Sequence, residues 1–296
     1  MTEMERNYIG YGGNPPRVEW PNGARIALNI VLNYEEGAEL GALETDTKRE
    51  MWGEVPWAVK PEDRDLVIEA MYEYGSRAGV WRIMRILDKY DMTCSVNAAA
   101  LALEQNPEVT QALVKHGYDM VGHGYRWMPT YPLTEEEERE NIRRARGSIE
   151  KTTGQRVIGW ITRPPYNLAT LRILSEEGLL YDSSVWNDDL PYFRQIGDKR
   201  MLLVPYSMDQ NDSRFWKNQM FTANHFFEYM RDAFDILYEE GETHPKMMSL
   251  GIHCRICGRP GRAPGLDRFL AHVRKFPKVW IAQRNAIARF WLEKYG

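Results

Sequence analysis

The sequence predicts an α/β fold in which a parallel sheet closes into one barrel. Segments typical of strands alternate with segments typical of helices along all 296 residues. This alternation indicates parallel strands joined by helical crossovers. The first strand, 25–32, is almost continuously apolar, as expected of a strand covered on both faces. Four predicted strands end in polar clusters, and such barrels place their sites at the carboxyl ends of their strands.

Local patterns predict the elements in order. Residues 1–24 are rich in Gly, Pro and Asn, and predict an extended segment ahead of a single barrel domain over 25–296. The polar residues 38–70, with Trp52 and Trp57, predict a long loop that covers a pocket. Further strands are expected at 92–100, 120–123, 159–162, 201–205, 246–252 and 279–282. Helices are expected at 69–90, 107–116, 134–151, 168–177, 225–240, 268–276 and 285–295.

Composition restricts the classes of partner. The formal net charge of -4 provides no electrostatic basis for binding nucleic acid or an anionic membrane. No apolar run approaches the ~18 residues of a membrane span, and the N-terminus lacks a signal-peptide pattern. The three cysteines cannot all pair, which favours a reducing cytoplasm. Cys254 and Cys257 form a C-x-x-C without a second pair, and we expect them to be free thiols.

The polar clusters supply the candidate site. Glu35 and Glu36 follow the first strand, and two adjacent carboxylates there are costly unless they are exposed, protonated or bound to a ligand. A solvated loop is the alternative for this pair. His123 follows a short apolar strand between two glycines. A lone histidine is more often part of a core, but Arg163 and His253 close other strands in the same way and favour one shared pocket.

At these residues the chain resembles the polysaccharide deacetylase superfamily of NodB homology, and most closely its branch of metal-independent allantoinases and cyclic imide hydrolases. The similarity covers nearly the whole chain. It includes the strings at 9–16, 32–37, 72–81, 122–127, 188–192 and 253–255. The resemblance implies a distorted (β/α) barrel of about seven parallel strands and a homo-oligomer. The loop 163–167 resembles the deacetylases, whereas the allantoinases carry a glycine-rich loop there.

The resemblance also implies roles for individual residues. The paired acids of the family fall on Glu35, the base, and Glu36, the metal ligand. The first histidine of its His-x-x-x-His motif falls on His123 and the second on Trp127, which cannot coordinate a metal. The residues leave open whether zinc or another divalent ion is bound. If one is, the ligands are expected to be Glu36, His123 and His253, a set that suits catalytic zinc.

The leading interpretation is a hydrolase that opens a C–N bond of a small cyclic amide or imide. Amide hydrolysis needs an activated water, a donor to the oxyanion and a proton for the leaving nitrogen. Glu35, Glu36, His123 and His253 are the expected catalytic residues. The expected substrate-binding residues are Tyr34, Trp127, Arg163, Tyr166, Trp186, Asp188 and Arg255. In particular, the N–H and ring face of Trp127 are expected to hold the substrate.

Two other functions stay open at this level. The first is an amino-sugar N-deacetylase on the same scaffold. Trp127 and the loop 38–70 argue against it, because both indicate a covered pocket and not an open sugar groove. The second is a catalytically silent binding protein. The cluster of Glu35, Glu36, His123 and His253 argues against that, since such a cluster is costly to keep without a task.

Overall fold

The protein is described here by a computed structural model that covers residues 6–53, 59–216 and 221–296. Its strands are β1 Ile26–Tyr34, β2 Ser95–Ala98, β3 Asp119–Gly122, β4 Gly159–Trp160, β5 Tyr181–Asp182, β6 Tyr192–Ile196, β7 Lys199–Leu203, β8 Lys246–His253 and β9 Val279–Ile281. They form one curled sheet in the order β6-β7-β5-β4-β3-β2-β1-β8, with β9 also paired to β1. The predicted α/β class with a curled parallel sheet is confirmed.

The strands are parallel except at one edge. Eight of the described strands run in parallel, one more than expected, and β6 pairs antiparallel with β7. In the described part of the chain no ladder joins the two ends of this order, β6 and β8. A single parallel bridge, between Asn211 and Gly251, connects β8 to the segment that follows β7. The barrel is therefore curled around its axis but only partly closed.

Helices alternate with the strands. They are α1 Leu66–Tyr74, α2 Val80–Lys89, α3 Ala100–Gln105, α4 Pro107–Lys115, α5 Glu135–Thr153, α6 Thr170–Glu176, α7 Ser213–Trp216, α8 Ala223–Glu240, α9 Ala263–Val273 and α10 Arg284–Tyr295. A π-helical turn, Gly75–Gly79, connects α1 to α2. Helix α5 has the predicted N-cap residue, Thr134, whose side chain accepts from the N–H of Glu137 while the Glu137 carboxylate accepts from the N–H of Thr134.

Register explains why the strand ends form one site. All nine residues of β1 are buried. Within the sheet, Tyr34 pairs with Ala98, Ala98 with Gly122 and Gly122 with Trp160, so these residues lie at one level. The residues that follow β1, β3 and β4 are therefore delivered to the same end of the sheet. On the other side of β1, Asn33 pairs with His253 at the end of β8.

Several boundaries differ from the sequence-based expectations. The strand expected over 92–100 is shorter because Ala100–Gln105 forms a helix. The helix expected over 69–90 is interrupted by the π-helical turn, and the antiparallel β6 was not foreseen. Ahead of β1, Trp20 is buried against Trp291 of α10, with ring centroids 5.7 Å apart. Trp57, which was expected in the covering loop, lies outside the described residues.

Two further expectations concern membranes and thiols. None of the described helices combines the length and apolar character needed to cross a lipid bilayer. The three cysteines, Cys94, Cys254 and Cys257, are free and buried. Burial raises the pKa of each thiol well above its ordinary value, so these groups stay protonated and behave as small apolar side chains.

Candidate active site

A cavity of about 210 Å³ lies at the carboxyl ends of the strands. Its polar lining includes Asn33, Glu35, His123, Arg163, Asn211 and His253. Its aromatic lining comes from Trp52, Trp127, Trp186 and Tyr206. Pockets for drug-sized ligands span roughly 300–1,000 Å³, so this cavity suits a smaller molecule. The structure therefore brings Glu35, His123, Arg163 and His253 together, as the strand-end pattern predicts.

Glu35, the residue after β1, is the carboxylate that faces the cavity. It is 1% exposed, and its Oε2 lies 2.7 Å from Nη2 of the buried Arg255. Its Oε1 lies 3.3 Å from Nε2 of His123 and 3.7 Å from Nε2 of His253. Burial alone would raise the pKa of Glu35, but Arg255 and His253 hold that pKa well below its usual range. Glu35 is therefore a permanent anion and a weak proton acceptor.

His123 follows β3 and has partners at both ring nitrogens. Nδ1 lies 2.8 Å from the carbonyl oxygen of Ile161, which can only accept, so Nδ1 carries the proton. The indole N–H of Trp127 lies 3.1 Å from Nε2 and can only donate, so Nε2 presents its lone pair. Oε1 of Glu35, 3.3 Å from the same nitrogen, is the more distant of the two partners of Nε2. Gly122 permits the arrangement, because a Cβ there would lie 2.3 Å from the ring of Trp160.

His253, at the end of β8, is oriented by a buried carboxylate. Its Nδ1 donates to Oδ1 of Asp212 at 2.6 Å, while Oδ2 of Asp212 accepts from the backbone N–H groups of His253 and Cys257. Burial alone would lower the pKa of His253, but Asp212 and Glu35 raise that pKa above its usual value. This pairing leaves Nε2 directed at Glu35 and the cavity, the arrangement that prepares an imidazole to take up a proton.

Both arginines expected to bind substrate are paired with carboxylates of the chain itself. Arg255 is fully buried, lies 2.7 Å from Glu35 and 3.4 Å from Glu36, and does not line the cavity. Arg163 does line the cavity, but its two terminal nitrogens donate to Glu50 at 2.6 and 2.8 Å. Buried carboxylates need counter-charges, and this need accounts for both pairings. Substrate binding by either guanidinium would compete with these ion pairs.

Glu36 also lies away from the cavity. Its Oε1 accepts from the backbone N–H of Arg255 at 3.1 Å, and its Oε2 accepts from the N–H of Glu35, also at 3.1 Å. Burial raises the pKa of Glu36 despite the neighbouring Arg255. Gly75 makes room for this side chain, because a Cβ there would lie 2.4 Å from Oε1 of Glu36. Glu36 thus packs behind Glu35, between β1 and the π-helical turn.

Comparison with known proteins places this arrangement in a family. A family model described as "Polysaccharide deacetylase" matches residues 60–179. A Schizosaccharomyces pombe protein named "Putative polysaccharide deacetylase" is 36% identical over 98% of both chains. The chain belongs to the polysaccharide deacetylase family. The match with the yeast protein decides this, because it is full-length on both sides.

Solved structures of similar proteins agree with that assignment. A "probable Polysaccharide deacetylase" from Pseudomonas aeruginosa PAO1 has 44% identity and a TM-score of 0.93 over 98% of both chains. The crystal structure of PuuE allantoinase has 41% identity and a TM-score of 0.93 over 98% of both chains. The expected resemblance to the polysaccharide deacetylases and their allantoinase branch is therefore confirmed.

Within this deacetylase family fold, the donor set does not fit a metal ion. In the part of the chain that the structure describes, no three His, Cys, Asp or Glu side chains are arranged to hold one. The lone pair of His123 Nε2 accepts from Trp127, and Glu36 is bonded to the backbone and faces Arg255. The three ligands considered from the sequence thus do not converge. Trp127 occupies the position at which the resemblance implies a second histidine, and its N–H bonds the nitrogen of His123 that a metal would need.

Replacing Trp127 by histidine is expected to create affinity for zinc. The change removes the N–H that bonds His123 Nε2 and adds an imidazole four positions further along. We expect zinc binding, measured by titration calorimetry, to tighten by about tenfold or more relative to the natural protein. Trp127→Phe, which removes the N–H without adding a ligand, is the matched control. Equal zinc affinity of the natural protein and the histidine variant would contradict this account of the donor set.

The other sequence-predicted residues divide into those at the cavity and those elsewhere. Trp127 and Trp186 line it, although one face of Trp127 carries the Arg163 guanidinium at 3.6 Å. Tyr34 is buried with its hydroxyl 3.0 Å from that of Ser76, and Tyr166 donates to the Ser184 carbonyl at 3.0 Å. Asp188 lies beside Gly10 in a separate pocket formed with residues 7–12. Tyr34, Tyr166 and Asp188 do not line the cavity.

Sequence reasoning missed several residues that complete the site. They are Glu50, from the expected covering loop, and Tyr206, Asn211 and Asp212, which follow β7. Trp52, which was expected in the covering loop, lines the cavity. The ring of Trp52 stacks on His253 at 6.3 Å with an interplanar angle of 25°. A signal existed for the second group, since Asp209-Gln210-Asn211-Asp212-Ser213 is a polar cluster after an apolar strand. For Glu50 the local sequence offers no such signal.

Proposed function

We propose that this protein hydrolyses a C–N bond in the ring of a small cyclic amide or imide. The observation that carries the proposal is the small cavity lined by aromatic rings together with Glu35 and His253, whose Oε1 and Nε2 atoms lie 3.7 Å apart. Three indole rings, of Trp52, Trp127 and Trp186, contribute to its walls and favour a planar ring as ligand. The similarity to PuuE allantoinase supports the same class of substrate.

These two acceptors, Glu35 Oε1 and His253 Nε2, can hold one water molecule by both of its hydrogens. Such a water would donate to Glu35 Oε1 and to His253 Nε2 and direct an oxygen lone pair at the ring carbonyl. Of the two acceptors, Glu35 is the weaker base because Arg255 stabilises its anion. His253 therefore takes the proton as the water oxygen bonds to the carbonyl carbon. Asp212 and Glu35 stabilise the imidazolium that forms.

The same proton then completes the reaction. As the C–N bond breaks, the imidazolium Nε2–H of His253 donates its proton to the leaving nitrogen, and the ring opens to an N–H group. The second water proton leaves with the new carboxyl group, which ionises at neutral pH. One water is consumed, and His253 returns to its starting tautomer with Nδ1–H on Asp212. Base and acid are thus one residue acting in sequence.

A substrate panel tests the proposal. Purified protein is incubated separately with succinimide, with allantoin and with acetylated chito-oligomers, and ring-opened products and free acetate are quantified. We expect ring opening of a cyclic substrate with kcat/KM in the ordinary enzymatic range of about 10⁴–10⁸ M⁻¹s⁻¹. Acetate release from the chito-oligomers without ring opening would replace the proposal by amino-sugar deacetylation, which would agree with the names "Putative polysaccharide deacetylase" and "probable Polysaccharide deacetylase" of two relatives. Binding of a ring without turnover would indicate a silent binding protein.

A further inference from the structure

Tyr206 lines the cavity but has no part in the water activation just described. It lies three residues after β7, where its backbone N–H donates to the carbonyl of Val185 at 2.8 Å. The side chain is 7% exposed and packs with Ile161, whose carbonyl holds His123. The phenol therefore lies in the cavity wall formed by the strand ends, near the histidines.

Two amide groups fix the phenol oxygen as an acceptor. Nδ2 of Asn33 donates to it at 3.0 Å and Nδ2 of Asn211 donates at 3.1 Å. Neither amide can be reversed. Asn33 also donates to the carbonyl of Ile252 and accepts from Asn97, and the Oδ1 of Asn211 accepts from the N–H and hydroxyl of Ser213. Both contacts therefore place a donor on the oxygen of Tyr206.

The proton of this hydroxyl must consequently point elsewhere. The described residues include no acceptor that is hydrogen-bonded to it. Burial raises the pKa of Tyr206, so the group remains a phenol and keeps its proton. Gly251 closes one direction, because even a Cβ there would lie 2.1 Å from the phenol oxygen. The cavity that Tyr206 lines offers a place for an acceptor.

We propose that Tyr206 is a further catalytic residue of this site, whose hydroxyl donates a hydrogen bond to the carbonyl oxygen at the C–N bond that is broken. The assignment rests on the proposed hydrolysis. That oxygen becomes negative as water adds to the carbonyl carbon, and a fixed donor stabilises the charge without reorganisation. The two amide donors strengthen the effect, because hydrogen bonds accepted by the phenol oxygen polarise its O–H. Asn33 and Asn211 thus act as positioning residues.

Replacing Tyr206 by phenylalanine tests the assignment, since it keeps the ring and removes the donor. We expect kcat for the substrate that the natural protein opens to fall about 10²- to 10³-fold, with KM changed by less than about threefold. Tyr181→Phe is the matched control, because it removes another buried phenol, one that donates to Asn285 and does not line the cavity. It is expected to lose comparable stability in urea while keeping kcat within about twofold.

Asn211→Ser serves as a second variant in case the unpaired amides prevent Tyr206→Phe from folding. It removes one donor to the phenol, and we expect a smaller fall in kcat, about tenfold. Full kcat in a folded Tyr206→Phe protein, or in Asn211→Ser if that alone folds, would overturn the assignment and leave the proposed function standing. A rise in KM with unchanged kcat would also overturn it. If the natural protein opens none of the cyclic substrates, the proposed function fails, and this assignment, which rests on it, fails with it.

Discussion

Replacing His253 by glutamine is expected to lower kcat by about 10²- to 10⁴-fold, because the variant loses the group that both takes and returns the proton. The glutamine places an amide near the position of Nε2, gives up the hydrogen bond from Nδ1 to Asp212, and cannot gain and lose a proton. In the natural protein, kcat/KM should rise with pH through the pKa of His253, which Asp212 and Glu35 raise above its usual value near 6.5. The sign follows from the mechanism, since only neutral imidazole accepts a proton. This rise of kcat/KM with pH, the pH limb, should be absent in the His253→Gln variant.

His272→Gln is the matched control for this measurement. His272 also pairs with a carboxylate, with Nε2 2.7 Å from Oδ1 of Asp235, but it lies on α9 and does not line the cavity. Its replacement should leave kcat within about twofold of the natural value and keep the pH limb. Initial-rate assays over about pH 5–9 measure kcat and the pH dependence of kcat/KM. An unchanged kcat in His253→Gln would remove His253 from the mechanism.

Replacing Arg255 by methionine is expected to have the largest effect on stability. Arg255 is fully buried between Glu35 and Glu36, and its guanidinium lies 4.3 Å from the ring centroid of Tyr72. Methionine keeps much of the packing but leaves the Glu35 carboxylate without its counter-charge. Removing one partner of a buried ion pair typically costs about 3–5 kcal/mol. Urea denaturation should show a loss of that size in the free energy of unfolding.

Two further variants show whether charge causes the loss. Arg77→Met breaks an exposed pair with Glu73 at 3.5 Å, and exposed pairs contribute at most about 1 kcal/mol. Adding Glu35→Gln to Arg255→Met should restore part of the lost stability, because it removes the carboxylate left unpaired. If Glu35→Gln does not reduce the stability loss caused by Arg255→Met, Arg255 stabilises the protein by packing alone.

The strand ends could be predicted from the sequence because their signals are local. The apolar run over 25–32 and the glycines around His123 identify buried strands and their ends, and parallel register then brings those ends together. Glu35, His123 and His253 meet in the structure for this reason. The resemblance at 32–37 and 122–127 also predicted the polysaccharide deacetylase family, and the full-length match with the yeast protein confirms that prediction.

The partners of these residues could not be predicted, because pairing between distant loops leaves no local pattern. Arg163 binds Glu50, 113 positions away, and Arg255 lies against Glu36, 219 positions away. A free arginine and a paired one look identical in a sequence, so both were expected to hold substrate. Trp127 shows the same limit, since its N–H bonds His123 and was expected to meet a substrate carbonyl. The polar cluster around Asp212 is visible in the sequence, but the pairing of Asp212 with His253 is not, because it depends on the bridge between Asn211 and Gly251.

The most direct test of ring opening by this protein uses one small molecule that contains both a cyclic imide and an acetamide. A glutarimide ring that carries an acetamido group offers two kinds of hydrolysable C–N bond to the same cavity, the two imide bonds in the ring and the one bond to the acetyl group. Mass spectrometry of the product distinguishes them after incubation with the natural protein and with His253→Gln as the control. The account predicts a product heavier by one water, with the acetyl group retained, formed by the natural protein alone. Loss of the acetyl group from an intact ring would contradict it.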